Sequence, residues 1–234
     1  MFFRKDYQTP GPGIRPDEPE KTGPARLLQI IQLEAGSIFL LNLLFLVSCI
    51  PVITIPPAIF AMNQVIRKMM LDQPVLCFYD YRTAFRTFWK QAYAAFFLTA
   101  LPLAASGFGA WFYLTRAGEN PVLFAPFLVC STIFLVSLLS SVCLYGVLST
   151  GMRVKPALRL ALTLGVGRPL RPILAAALGY GLTLWGILQL PISLVYLLLL
   201  GFSLPALLSN FFLRTLLRDY CPVSKEEEDS HLPS

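Results

Sequence analysis

The chain has 234 residues, of which 56% are hydrophobic and only 14% charged, and its formal net charge is +6. A soluble domain carries about 25% charged and about 45–50% apolar residues, so this balance excludes an ordinary water-soluble protein. It predicts an all-α, polytopic helical membrane protein. The bases are spread between long apolar runs, which excludes nucleic acid as a partner and makes the lipid bilayer the surface they meet.

Residues 1–24 read as a polar leader. Pro10, Pro12, Pro16, Pro19 and Pro24 alternate with Gly11, Gly13 and Gly23, a density of helix breakers that favours irregular chain. The first apolar run starts well after Met1 and no small-residue cleavage site follows it, so no secretory signal is expected.

A single transmembrane helical domain is predicted over residues 25–218. From Ala25 the chain turns apolar, with Arg26 at the head and Glu34 about two turns in. An ionisable group inside a span is a functional candidate, although Glu34 near the entrance also suits the headgroup zone. Asn42 is deeper, and a buried amide there is expected to hydrogen-bond to a neighbouring helix. The stretch from Gly36 to Met62 has no charge and outruns the ~20 residues that cross a ~30 Å core. Pro51, Pro56 and Pro57 break it, since proline removes a backbone donor and clashes with the preceding turn. The reading is a first span over Leu27–Ile50, a proline-built reversal, and a shorter second span ending near Met69. Asn63, Gln64, Arg67 and Lys68 lie toward its exit. Glu34, Asn42 and Asn63 form the candidate intramembrane polar site.

Leu71–Lys90 is predicted as a loop carrying its own helix. Phe78, Tyr81, Phe85, Phe88 and Trp89 recur at helical spacing, and Arg82, Arg86 and Lys90 recur every four residues beside them. Rings next to a basic stripe suit an interfacial amphipathic helix, or a contact with a partner protein. Third and fourth spans are expected at Ala92–Leu114 and Val122–Leu148. Small residues (Ala105, Ser106, Gly107 and Gly109; Ser131, Ser137, Ser140 and Ser141) allow their backbones to approach closely.

Thr150–Pro172 holds Arg153, Lys155, Arg159, Arg168 and Arg171 and no acidic residue. Pro156 can open a short helix there and Gly165 or Gly167 can end it. With Arg82, Phe85, Arg86, Trp89 and Lys90, the residues Arg153 and Arg159 make up the candidate interfacial or partner surface. Ile173–Leu213 is uncharged and about twice one crossing, and Pro191 near its middle divides it into fifth and sixth spans. Residues 219–234 form an acidic tail with a disordered composition.

Lys and Arg favour cytoplasmic loops. The Arg67–Lys90 and Arg153–Arg171 loops, the Arg214/Arg218 end and the leader all qualify, which requires an even number of crossings before Arg67. Six spans with both termini cytoplasmic is the resulting topology. Five spans with an outside leader is the alternative, in which the proline run is a kink in one helix.

Three stretches resemble the YesL-like family of bacterial integral membrane proteins of undetermined function. The leader from Tyr7 to Lys21, with Pro10-Gly11-Pro12-Gly13, is similar to the leader of one branch. Asn42 followed by an apolar run and Ile50-Pro51-Val52-Ile53-Thr54 resembles its first-span signature. Tyr79–Gln91 resembles its aromatic-basic segment. The chain departs from the family in placing Pro56 where a glycine is usual. The resemblance implies a bacterial plasma-membrane protein loosely associated with carbohydrate uptake, and it carries no catalytic residues.

Two functions fit these features. One is a non-enzymatic accessory or regulatory subunit beside a carbohydrate transporter component, docked through the basic-aromatic segments. The other is a small stand-alone transporter, for which Glu34 and the proline break are the only intramembrane signals. No enzyme is expected, because there is no Ser–His pair, no His-Glu-x-x-His helix and no phosphate cradle. His231 is the only histidine and the five cysteines lack metal spacing, so neither a metal nor any other cofactor is expected.

Overall fold

A computed structural model describes residues 23–116 and 121–220. Residues 1–22 of the leader, residues 221–234 of the acidic tail and residues 117–120 of the turn between the third and fourth expected spans lie outside the described residues. Among the described residues the structure is helical, with no strand.

The chain opens with α1 (Pro24–Leu33) and α2 (Ala35–Cys49), whose axes meet at 73°. Glu34 is the joint, at φ −104° and ψ 17°. Its N–H donates to Ile30 O at 2.9 Å, closing α1, and its carbonyl accepts from Ile38 N at 2.8 Å, opening α2. The single span expected over Leu27–Ile50 is therefore bent. The Arg26 guanidinium pairs with Asp72 at 2.7 Å, which ties α1 to the loop after α3.

The proline run forms a reversal. A 3-10 turn (Val52–Thr54) follows Pro51, and the Thr54 hydroxyl donates to Ser48 O, satisfying a carbonyl in the last turn of α2. Pro56 and Pro57 then fall in the first turn of α3 (Ile55–Met70), where the missing N–H would have no partner in any case. The Arg26–Asp72 pair, together with a 3.4 Å contact from Cys77 Sγ to Ser37 O, brings the start of α2 and the exit of α3 to one end. The two helices are thus antiparallel.

Next come α4 (Cys77–Thr87), α5 (Trp89–Arg116), a 3-10 turn at Pro121–Leu123, and α6 (Phe124–Leu148). A Cβ at Gly107 would lie 3.1 Å from the Phe134 ring and one at Gly109 would lie 3.0 Å from Cys130 Sγ, which fixes α5 and α6 in antiparallel register. Then follow α7 (Val154–Gly167), α8 (Leu170–Ala176), a π-turn at Ala177–Gly181, and α9 (Leu182–Leu188). A turn with a cis Leu190–Pro191 peptide leads to α10 (Leu194–Leu199) and α11 (Ser203–Tyr220).

Three helical stretches are long and apolar enough to cross a membrane: Trp89–Arg116, Pro121–Leu148 and Leu170–Leu188. The bent α1–α2 pair makes a fourth if it is one span. Their outer faces leave Leu101, Phe108, Trp111, Leu128 and Trp185 exposed, an apolar surface that suits lipid rather than water. The helices at the other two expected spans are of a different kind. α3 has 16 residues and is buried on most of its circumference, packed against α2, α4, α5 and α11. α10 has only six residues, and α11 carries Arg214 and Arg218. Both α3 and α11 are shielded by other helices, so their sequences can hold polar residues that a lipid-facing helix could not.

The core has two lobes. Leu144, Val147, Leu148, Ala161, Leu213 and Leu216 fill one, and Leu41, Ala61, Val65, Ile66, Tyr81 and Leu207 fill the other. Because α11 contributes to both, it is a strut between them.

Charge is segregated along the bundle. Arg26 meets Asp72, Lys68 Nζ meets Asp80 at 2.7 Å, and Arg168 lies 5.5 Å from the Tyr220 ring centroid. Arg67, Ser149 and Arg214 border one small cleft. These contacts place the ends of α3, α6 and α11 and the starts of α4 and α8 together. Arg116 lies at the opposite end, stacked 4.2 Å from the Phe112 ring centroid.

Candidate functional site

Asn42 is wholly buried midway along α2 and joins the two parts of a broken helix. Its Nδ2 donates to Leu197 O at 3.0 Å and Leu198 O at 2.7 Å, at the end of α10. Its Oδ1 accepts from Phe202 N at 3.0 Å and Ser203 N at 3.2 Å, at the start of α11. Helix ends leave such carbonyls and amides orphaned, and a low-dielectric interior makes that expensive. One amide side chain satisfies both ends, so the break between α10 and α11 can exist inside the bundle.

Asn63 on α3 and Asn210 on α11 form a second amide centre. Asn210 Nδ2 donates to Asn63 Oδ1 at 2.7 Å and to Ala206 O at 2.8 Å, while Asn63 Nδ2 donates to Ile59 O at 2.8 Å. Two amides offer four N–H donors and two carbonyl oxygens. Among the described residues, these bonds leave one N–H of Asn63 and the Oδ1 of Asn210 without a protein partner.

Both asparagines line a partly open cavity of about 450 Å³ bordered by α2, α3, α6, the π-turn, α9 and α11. Its walls are mostly apolar, with Phe45, Ile59, Met62, Val142 and Phe202 among them. The π-turn supplies Gly179 and Tyr180. Gly179 permits close approach of α11, since a Cβ there would sit 3.1 Å from Ser209 Cβ. Tyr180 OH lies 3.0 Å from Ser141 Oγ, and Thr183 Oγ1 donates to Gly179 O at 2.8 Å. An extra residue in a helical turn re-aims the side chains around it and recurs where helices line a site.

One turn from the asparagine pair, toward the basic end, stand Arg67 and Arg214. Each is four residues after its asparagine and so on the same helix face. They border the small cleft of about 20 Å³ that Asn210 also lines.

The other candidates fall elsewhere. Glu34 is at the α1–α2 joint, half-buried and outside the cavity lining. Arg82, Arg86, Trp89, Lys90, Arg153 and Arg159 are all exposed, and Phe85 is half-buried. The aromatic stripe expected from Phe78 to Trp89 is split by a break at Phe88. Tyr81 and Phe88 turn inward, Phe88 against Phe60 at 5.2 Å between ring centroids, whereas Phe78 and Trp89 face outward. Lys90 Nζ stands 5.6 Å from the Trp89 ring centroid.

Sequence reasoning missed Asn210, Ser209 and the Gly179–Tyr180 turn. Asn210 sits in the same uncharged, Leu/Phe-rich context that singled out Asn42, so the same criterion would have found it. Paired glycines at 179 and 181 around Tyr180 were the available signal for the turn. Among the described residues no cluster of three or more His, Cys, Asp or Glu could hold a metal ion.

A family model described as "Protein of unknown function, DUF624" matches residues 38–108, from α2 through most of α5. No curated protein and no solved structure matches the chain.

Proposed function

We propose that the protein is a six-crossing membrane protein of a bacterial plasma membrane, with both termini cytoplasmic. It acts there as a non-enzymatic accessory subunit of a carbohydrate-uptake system. The crossings are α1–α2, the Val52–Met70 segment, α5, α6, α8–α9 and α10–α11. At about 2.0 Å per residue in the 3-10 turn and about 1.5 Å in the helix, Val52–Met70 reaches about 30 Å, the thickness of the hydrocarbon core. The segregation of bases at one end supports a cytoplasmic assignment for that end.

The observation that carries the docking role is the exposure of Arg82, Arg86, Trp89, Lys90, Arg153 and Arg159. They stand on α4, α7 and the first turn of α5, around the end where α5 starts and α6 finishes. Exposed guanidinium groups together with one exposed indole can bind an acidic partner surface, with Trp89 as the anchor. The link to carbohydrate uptake comes from the family resemblance of Asn42–Thr54 and Tyr79–Gln91. The test is affinity isolation of the tagged full chain from native membranes in mild detergent. A membrane component of a sugar transporter should co-purify, and charge reversal at Arg82, Arg86 and Lys90 should release it. Repeated isolation without any transporter component overturns the proposal.

A second reading, a stand-alone carrier, is favoured by one feature: the cavity lies against a helix broken inside the bundle, as ligand sites in carriers often do. Uptake by the protein reconstituted alone in vesicles would establish it.

A further inference from the structure

We infer that the cavity beside Asn63 and Asn210 is a binding site for an uncharged, single-chain apolar molecule ending in a hydroxyl group, such as a long-chain alcohol. The inference does not rest on the docking role proposed above and goes beyond it.

Size comes first. About 450 Å³ is roughly three times the ~150 Å³ apolar cavity that admits benzene, and it falls within the ~300–1,000 Å³ range of small-molecule sites. Chemistry narrows the class. No ionisable acid or base lines the cavity apart from the tyrosine hydroxyls and the Cys49 thiol, so a charged ligand has no counter-ion within it. The adjoining cleft that reaches Arg67 and Arg214 holds only about 20 Å³, room for a water molecule but not for a phosphate group.

Free sugars are disfavoured by the same accounting. A monosaccharide presents hydroxyls on all sides, and each one left unpaired on burial costs about 1–3 kcal/mol. Thr183 already donates to Gly179 O, Tyr180 and Ser141 bond to each other, and the asparagines bond to each other, so with the Ser209 and Tyr145 hydroxyls the mostly apolar wall offers fewer partners than the hydroxyls of a monosaccharide need. What remains of the amide pair is one N–H donor on Asn63 and one acceptor oxygen on Asn210, two residues that both line the cavity. That is the complement of a single hydroxyl, which donates once and accepts once. The chain of such a molecule would lie along Phe45, Ile59, Met62 and Phe202.

The full chain in phosphatidylethanolamine/phosphatidylglycerol nanodiscs is to be photolabelled with dodecanol carrying a diazirine on its chain, and with the matching dodecane probe. The alcohol should label residues of the cavity, and free glucose should not compete. Leu46→Trp, which fills the cavity from α2, should abolish the labelling. The double variant Asn63→Leu/Asn210→Leu replaces both amides with side chains of similar shape, a change that leaves a protein folded. It should reduce alcohol labelling by about tenfold, the effect of one lost hydrogen-bonded pair, while leaving dodecane labelling unchanged. Labelling that survives Leu46→Trp in folded protein, equal labelling by both probes in the unmodified chain, or displacement by glucose each overturns the inference. Failure of the partner isolation described above would leave all of these outcomes readable.

Discussion

Asn210 donates to Asn63 across 2.7 Å, and this contact joins α3 to α11, two helices that each contribute to both core lobes. Removing one partner strands the other in an interior that holds little water. Asn210→Leu or Asn63→Leu alone should destabilise the protein by about 1–3 kcal/mol, whereas the double variant should lose less than the sum of the two. Unfolding titrations of the four proteins in mixed micelles read the coupling directly. Strict additivity would show that the bond is energetically idle.

Asn42 satisfies four backbone groups at the α10–α11 break. Asn42→Leu keeps the volume and orphans all four. Hydrogen bonds between membrane helices average about 0.6 kcal/mol, and exposed helix ends add to this, so a loss of about 2–4 kcal/mol is expected. Unchanged stability would mean that the break is held by packing alone.

Asp80 closes the first turn of α4, accepting from Leu76 N at 2.9 Å as well as from Lys68 Nζ at 2.7 Å. Lys68 is 40% exposed, so water screens the ion pair and most of the benefit lies in the backbone contact. Asp80→Ala should cost about 1–2 kcal/mol, and Lys68→Met about 0.5 kcal/mol or less. Thermal unfolding of the purified variants tests the ranking, and equal losses would assign the effect to the ion pair.

Gly109 meets Cys130 at a distance that no added methyl group fits without movement. Gly109→Ala should therefore destabilise the α5–α6 pair by about 1–2 kcal/mol, and Cys130→Ala placed in the same chain should recover most of it. Denaturant unfolding of the single and double variants decides the matter. A harmful second substitution would mean that the register is misassigned.

Burial pushes the Cys77 thiol above its ordinary range, outweighing the contact with Ser37 that lowers it, and the carboxylates of Glu34 and Asp80 add to the rise. The folded protein therefore holds this proton more tightly than the unfolded chain does. Its contribution to stability is full below the ordinary cysteine pKa of ~8.5 and declines as the pH rises beyond it. Iodoacetamide should modify Cys77 slowly at neutral pH and faster only under alkaline conditions, compared with the denatured chain, as read by peptide mass spectrometry. Labelling at pH 7 as fast as in denaturant would show the thiol to be open.

The sequence alone determined the helical, membrane-directed character of this protein, because a long run of uncharged residues can satisfy its backbone in lipid only by coiling. It also placed the reversal at Pro51: proline tolerates the first turn of a helix and not its interior, so Pro56 and Pro57 mark where α3 starts. The role of Asn42 in bonding between helices followed from its surroundings, since an amide in an apolar run must find a partner. Exposure of Arg82, Arg86 and Arg153 was legible for the same reason in reverse.

Only the tertiary structure decided which amide faces which. Asn63 and Asn210 are far apart in the chain, and nothing in either helix specifies the rotation that turns them toward each other. That rotation is set by packing of α3 against its neighbours, which also lets α3 be shorter and more polar than a lipid-facing span. The bend at Glu34 was hidden because no proline marks it; only the structure shows α1 turned aside, with Arg26 paired to Asp72 in the loop after α3. The cavity was equally out of reach, for such a space belongs to five or six elements at once and leaves no periodic trace in any of them.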